Sequence, residues 1–219
     1  MSDKSKKNNG IVLNEIGKAD SMAFSSAQCT YSHPDCDGIL LTPEDMYNIS
    51  RKLQLTPTEV YEEYCKGEID GHSCVPIVFL KTCHPCSSVG RCPFLYNGQC
   101  TICESKPSIC TFPPIEKQMK KMLHTISECL MVNGTRYKND FMNRWQSDIA
   151  ELGKLFYILD RVMDYEFMEH VWGEGYVEFY FRYDMKQDFM AQYDENVQFL
   201  ARFLQWELSE CGVPFEEIC

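Results

Sequence analysis

The stretch from Cys92 to Pro114 reads CPFLYNGQCTICESKPSICTFPP and places four cysteines within nineteen residues. Proline and glycine interrupt it so often that neither a helical nor a strand period runs through it. The preceding sequence from Gly67 is similar, apart from one strand-like run, VPIVFL, at Val75–Leu80. A long segment with so little regular structure is uncommon in a compact domain unless something internal holds it. We therefore expect a metal centre to order this part of the chain.

Cysteine spacing supports this expectation. A tetrahedral zinc or a four-iron cluster needs four thiolates that converge from sharply turning backbone. Cys83-x2-Cys86, thirteen residues and then Cys100-x2-Cys103 come close to the spacing of a zinc ribbon, and two further cysteines lie on an upstream loop, CTYSHPDCDG. The candidate metal ligands are Cys29, Cys36, Cys83, Cys86, Cys92, Cys100, Cys103 and Cys110.

Other uses of the cysteines fit less well. The chain contains neither C-x3-C-x2-C nor C-x2-C-x2-C, the patterns of radical-initiating and bacterial ferredoxin clusters. The CHPC at Cys83 lacks the following helix of a thioredoxin-like redox pair, although His84 stays a candidate ligand. Apolar helical patterns surround Cys65, Cys129 and Cys211, which we interpret as core residues.

Charge and compartment narrow the function classes. No apolar stretch of signal-peptide type follows the start, MSDKSKKNNG, and no apolar run is long enough to span a membrane, so we expect a cytoplasmic protein. In a reducing compartment, thirteen cysteines favour metal ligation over disulfides.

The net charge is −11, and residues 151–219 hold fifteen acidic and five basic residues, which argues against binding to nucleic acid or to anionic membranes. That part suits a basic protein partner, or forms a solvated helix face.

Two short helices are predicted from repeated start signals. TPED at Thr42 and TPTE at Thr56 each combine an N-cap hydroxyl, a proline at the first helical position and a carboxylate three residues after the cap. They predict helices over Pro43–Lys52 and Pro57–Cys65. Met1–Asn9 is polar without periodicity, so we expect a disordered tail.

Longer amphipathic patterns follow the cysteine-rich part. One runs over Ile115–Leu130, a second over Phe141–Phe167 and a third over Phe189–Leu208. YVEFYFRY at Tyr176–Tyr183 alternates and is compatible with a strand. The predicted fold is mainly α: a tail (1–9), an irregular cysteine-cluster metal-binding domain with short helices (10–114), and an amphipathic helical part packed on it (115–219).

Two of these stretches resemble one family, in the same order. CPFLYNGQC followed by SKPSICTFPP is similar to the C-P-F-L, turn, C-x-I-Y, R-P-x-x-C-R-x-F-P signature of the YkgJ-like cysteine-cluster family. Its members are described as zinc- or iron-chelating proteins and in places as iron–sulfur proteins. CDGILLTPEDMYNISRKLQLTPTEVYEEY, from Cys36, resembles the family's aliphatic-L-T-P-x-D segment and short helix. The resemblance covers about Cys29 to Pro114.

The resemblance implies a ligand set residue by residue. It carries over Cys29, Cys36, Cys92, Cys100 and Cys110. The chain departs from the family at Ser32 and Asp35, which replace two cysteines, and at Cys103, Lys106 and Thr111, which replace a tyrosine and two arginines. Cys83, Cys86 and Cys103 have no counterpart, so they either replace the missing thiols or ligate a second ion.

The family resembles flagellin lysine N-methylases, whose expected cofactor is an iron–sulfur centre. This resemblance favours an iron–sulfur cluster over zinc, with [4Fe–4S] as the first choice.

Three candidate functions remain open: a metal-cluster protein with a structural, electron-transfer or sensing role; a protein-lysine N-methylase-like enzyme; or a zinc-stabilised interaction module. Against the enzyme, no glycine-rich strand-to-helix turn for S-adenosylmethionine is recognisable.

Overall fold

The computed structural model describes residues 39–71, 73–81, 92–97, 99–111 and 140–213. Within these ranges the chain is mainly helical, with a small antiparallel sheet and a short hairpin. The predicted tail at Met1–Asn9 and the predicted helix over Ile115–Leu130 lie outside the described residues. The elements in chain order are β1 (Ile39–Leu41), α1 (Pro43–Leu53), α2 (Pro57–Tyr64), β2 (Cys65–Ile69), β3 (Pro76–Leu80), β4 (Leu95–Tyr96), β5 (Gln99–Cys100), α3 (Asp140–Val162), α4 (Tyr165–Tyr176) and α5 (Phe189–Glu210).

Both predicted short helices are confirmed, and both begin at complete capping boxes. In α1 the Thr42 hydroxyl accepts from the Asp45 N–H (3.1 Å), and the Asp45 carboxylate accepts from the Thr42 N–H (2.9 Å). In α2, Thr56 and Glu59 make the same two bonds. Each box satisfies two N–H groups that the first turn would otherwise leave without partners. The α2 helix ends at Tyr64, because Cys65 has extended backbone and starts β2.

A three-stranded antiparallel sheet, in the order β1-β3-β2, forms the other part of this region. The predicted strand at Val75–Leu80 is confirmed as the central strand β3, which pairs Leu80 with both Ile39 and Cys65. Sequence patterning did not predict β1, which has three residues, or β2, which reads CKGEI. The expectation of almost no regular structure from Gly67 to Pro114 was therefore wrong for the strands that the structure describes there.

The second amphipathic pattern is two helices rather than one. Helix α3 ends at Val162, and Asp164 caps α4 by accepting from the Phe167 N–H (2.9 Å). The third pattern is confirmed as α5, with Asp188 as its N-cap.

The interpretation of Tyr176–Tyr183 as a strand was wrong. Helix α4 continues directly into a π-helical turn at Val177–Phe181. Glu178, one of the polar members of the alternation, is buried beside Phe179 and Tyr180 and forms an ion pair with Arg182. The alternation therefore does not separate a buried face from an exposed one.

One hydrophobic core joins the sheet and the two short helices to α3, α4 and α5. Polar bonds cross the same boundary: the Tyr47 hydroxyl donates to the Gln187 carbonyl (2.6 Å), and the Trp172 indole donates to the Cys74 carbonyl (3.0 Å). Side chains with no exposed surface at the centre of this core include Leu41, Met46, Ile49, Val60, Val78, Leu80, Phe156, Leu159, Val171, Tyr180, Tyr193, Leu200 and Leu204. Among the described helices, none is both long and apolar enough to cross a membrane.

Candidate metal centre

The β4–β5 hairpin links the backbones of Cys92 and Cys100 through Leu95. The Cys92 carbonyl accepts from the Leu95 N–H (3.1 Å), and Leu95 pairs with Cys100 across the hairpin. Asn97, at the turn, has a positive φ of 49°, a conformation that asparagine tolerates well. The chain turns tightly here because only two residues, the first of them Asn97, separate the end of β4 from the start of β5.

Two 3-10 turns carry the other described cysteines of this segment. Cys103 begins the first turn, Cys103–Ser105, and Cys110 lies within the second, Ser108–Thr111. The Cys110 N–H donates to the Pro107 carbonyl (2.8 Å), so that the backbone reverses directly before this cysteine. Short turns of this kind are the type of backbone on which cysteine ligands of metal centres are commonly found.

Burial divides the four cysteines into two kinds. Cys92, Cys100 and Cys110 are half-buried and pack against the hydrophobic core. Cys103 is exposed, on the side where Lys52 of α1 forms a surface ion pair with Glu104 (3.2 Å). Of the five cysteines that the family resemblance carries over, the three that the structure describes are therefore all half-buried, whereas Cys103, which has no counterpart in the family pattern, is exposed.

The structure describes four of the eight predicted cysteine ligands: Cys92, Cys100, Cys103 and Cys110. Cys29, Cys36, Cys83 and Cys86 lie outside the described residues, and so does His84. Across the described ranges, no three side chains of histidine, cysteine, aspartate or glutamate are arranged to hold a metal ion.

Burial makes other cysteines poor sources of thiolate. Cys65 is buried at the start of strand β2, and loss of hydration raises the pKa of its thiol to about 12. Burial and the nearby Asp160 carboxylate raise the pKa of Cys74 to about 11. Burial also raises the pKa of Cys211, whose sulfur lies 3.2 Å from the Met163 sulfur. The interpretation of Cys65 as a core residue is confirmed; Cys129 lies outside the described residues.

Asp45 is a functional candidate that sequence reasoning explained only by helix capping. One carboxylate oxygen, Oδ2, caps α1, while Oδ1 accepts from both the N–H (2.7 Å) and the hydroxyl (2.9 Å) of Ser108. Asp45 is only 4% exposed, and burial raises the pKa of this carboxyl, while hydrogen bonds from Thr42 and Ser108 act in the opposite direction. A carboxylate inside the T-P-E-D motif therefore connects α1 to the turn that carries Cys110.

Comparisons with known proteins add nothing to this geometry: neither a scan of family models nor searches of curated proteins and of solved structures gave a match.

Proposed function

We propose that this protein holds a metal centre through cysteine thiolates, with an iron–sulfur cluster, [4Fe–4S] first, as the favoured occupant and a structural, electron-transfer or sensing role. The observation that carries the proposal is that Cys92, Cys100 and Cys110 are all half-buried and pack against the hydrophobic core, Cys92 and Cys100 beside and in a hairpin and Cys110 in a turn. The remaining ligands would come from the cysteines upstream, Cys29 and Cys36 first.

The donor set fits such a centre in two respects. Thiolates are the ligands that iron–sulfur clusters and zinc both prefer, and half-buried thiols have restricted access to water. Phe94 and Ile102, two positions after Cys92 and Cys100 in the chain, are buried and connect this segment to the hydrophobic core. An apolar shell controls solvent access and tunes the properties of a metal centre.

Anaerobic purification followed by iron, zinc and acid-labile sulfide analysis tests the proposal. We expect iron and sulfide in comparable amounts, a visible thiolate-to-iron absorption band, and EPR or Mössbauer spectra of a cluster. A colourless protein that contains stoichiometric zinc would rule out the iron–sulfur cluster and support the zinc-stabilised interaction module. A metal-free protein would overturn the proposal. Titration with S-adenosylmethionine tests the methylase alternative on the same material.

Cysteine variants locate the site. Serine at Cys92, Cys100 or Cys110 is expected to reduce the metal content strongly, because each removes a half-buried thiolate. Cys103→Ser is the matched control, since it lies in the same segment but is exposed, and we expect it to keep its metal. Equal metal loss in all four variants would contradict the division by burial.

A further inference from the structure

We infer that Asp45 is a positioning residue for the proposed metal centre: it fixes the Ser108–Thr111 turn, so that Cys110 can share a metal with Cys92 and Cys100. The inference rests on the proposed function, but it concerns a residue that is not itself a ligand. Three observations lead to it.

The first observation is a comparison of two equivalent capping boxes. Asp45 and Glu59 both occupy the third position after a threonine N-cap, and both close the box with one carboxylate oxygen. Glu59 is exposed and bonds only within its own box among the contacts that the structure describes. Asp45 is buried and uses its second oxygen on Ser108, 63 positions further along the chain. Capping alone therefore explains Glu59 but not the burial or the second bond of Asp45.

The second observation is where this bond acts. Ser108 is the first residue of the turn that contains Cys110, and the Cys110 N–H in turn bonds to the Pro107 carbonyl (2.8 Å). Two donors of Ser108 on a single oxygen restrain both the position and the direction of the backbone at that point. The restraint originates in α1, a helix that the sheet and the core hold in place. Cys110 is therefore positioned by the folded core as well as by its own loop.

The third observation is the chemical fit of a carboxylate. Among the described residues, Asp45 accepts three hydrogen bonds: Oδ1 accepts from the N–H and the hydroxyl of Ser108, and Oδ2 accepts from the Thr42 N–H. An asparagine would have to turn its NH2 group toward one of these sets, which would place donor against donor in a buried site. Residues behind a ligand commonly change metal affinity about 10- to 100-fold when they are replaced.

Cysteine-selective alkylation of the metal-loaded protein, followed by mass spectrometry of each thiol, tests the inference. In Asp45→Asn we expect Cys110 to react about tenfold or more faster than in the wild type, with faster metal loss to a chelator. Glu59→Gln removes the equivalent carboxylate of the other box and is the matched control, because it should leave Cys110 protected. Cys65 reports on unfolding, since it is 1% exposed and becomes reactive only if the core opens.

The outcomes separate the two proposals. If the wild type holds a metal and Asp45→Asn leaves Cys110 as protected as in the wild type, the positioning role is refuted while the proposed function stands. If the wild type holds no metal, the proposed function itself fails. If Asp45→Asn exposes Cys65 as well, Ser108→Ala decides, because it removes only the hydroxyl donor: faster reaction at Cys110 alone supports the role, and an unchanged rate refutes it.

Discussion

Glu59 shows how one exposed carboxylate adds stability through its hydrogen bonds. The Thr56 N–H and hydroxyl both donate to its Oε2, at 2.7 Å and 2.8 Å. These bonds favour the charged form and hold the pKa of Glu59 below its ordinary value of 4.5. A carboxyl whose pKa is lowered by folding contributes stability above its unfolded pKa, and that contribution disappears as pH falls through the folded pKa.

We therefore predict that Glu59→Gln lowers the free energy of unfolding at neutral pH, and that the difference from the wild type shrinks as both proteins are taken below the ordinary pKa of 4.5. Urea denaturation of both proteins at a series of pH values measures this. A difference that stays constant with pH would show that the charge of Glu59 has no part in the effect.

The sequence identified the residue types of the candidate site but not their environments. Spacing and resemblance singled out Cys92, Cys100, Cys103 and Cys110 together, because all four lie on turn-rich sequence. Whether a turn faces the core or water depends on what packs behind it, and no local pattern encodes that. The bond between Asp45 and Ser108 was likewise beyond prediction, because the two residues are far apart in sequence and one of them already had a local explanation.

At the level of elements, helices with strong end signals were predictable, and elements defined by tertiary contacts were not. The threonine-proline starts of α1 and α2 and the Asp188 cap of α5 are local signals. Strand β2 carries Lys66 and Glu68 on a sheet edge, so its composition does not resemble a buried strand. It is recognisable only from its partner β3 and from the Tyr176 hydroxyl, which donates to the Glu68 carbonyl (2.9 Å).

Two glycines of α4 test the packing of this helix against the sheet. A Cβ at Gly175 would lie 2.6 Å from the Pro76 Cγ and 2.9 Å from the Phe156 Cζ, so Gly175→Ala should destabilise the fold by roughly 1–3 kcal/mol. Gly173 has open space at the Cβ position, so Gly173→Ala should stabilise the fold by roughly 0.5–1 kcal/mol through helix propensity.

Thermal or urea unfolding of the two variants measures both effects in the same helix. Because the substitutions are chemically identical and two positions apart, their difference isolates the contact with Pro76 and Phe156. Equal changes in stability at the two positions would contradict the close packing of α4 on β3.

At the scale of the molecule, the segment that carries Cys92, Cys100, Cys103 and Cys110 packs against a hydrophobic core that is built mostly by other elements. Large apolar side chains from α3, α4 and α5 supply much of that core, including Trp145, Phe156 and Tyr193. The hairpin contributes two short strands and only a few buried side chains, notably Phe94 and Ile102. A metal should therefore stabilise this segment more than the helices.

We predict that removing the proposed metal with a chelator speeds chymotryptic cleavage after Tyr96, while the helical circular dichroism signal changes little. Tyr165 in α4 is the internal control, because it is as exposed as Tyr96, at 69%, but lies on a helix far along the chain. Loss of the helical signal together with cleavage at both sites would mean that the metal supports the whole fold rather than the segment.

The π-helical turn at Val177–Phe181 gives the chain one spare residue at this point. A π turn contains about one residue more than an α turn, so deletion of a single residue here would restore α-helical winding and leave the residues that follow in nearly the same direction around the helix axis. Tyr183 would then keep its ring contacts with Tyr47 and Phe189. Homologous chains should therefore tolerate the loss of one codon here better than inside α5, where the same loss would rotate the residues that follow by about 100°.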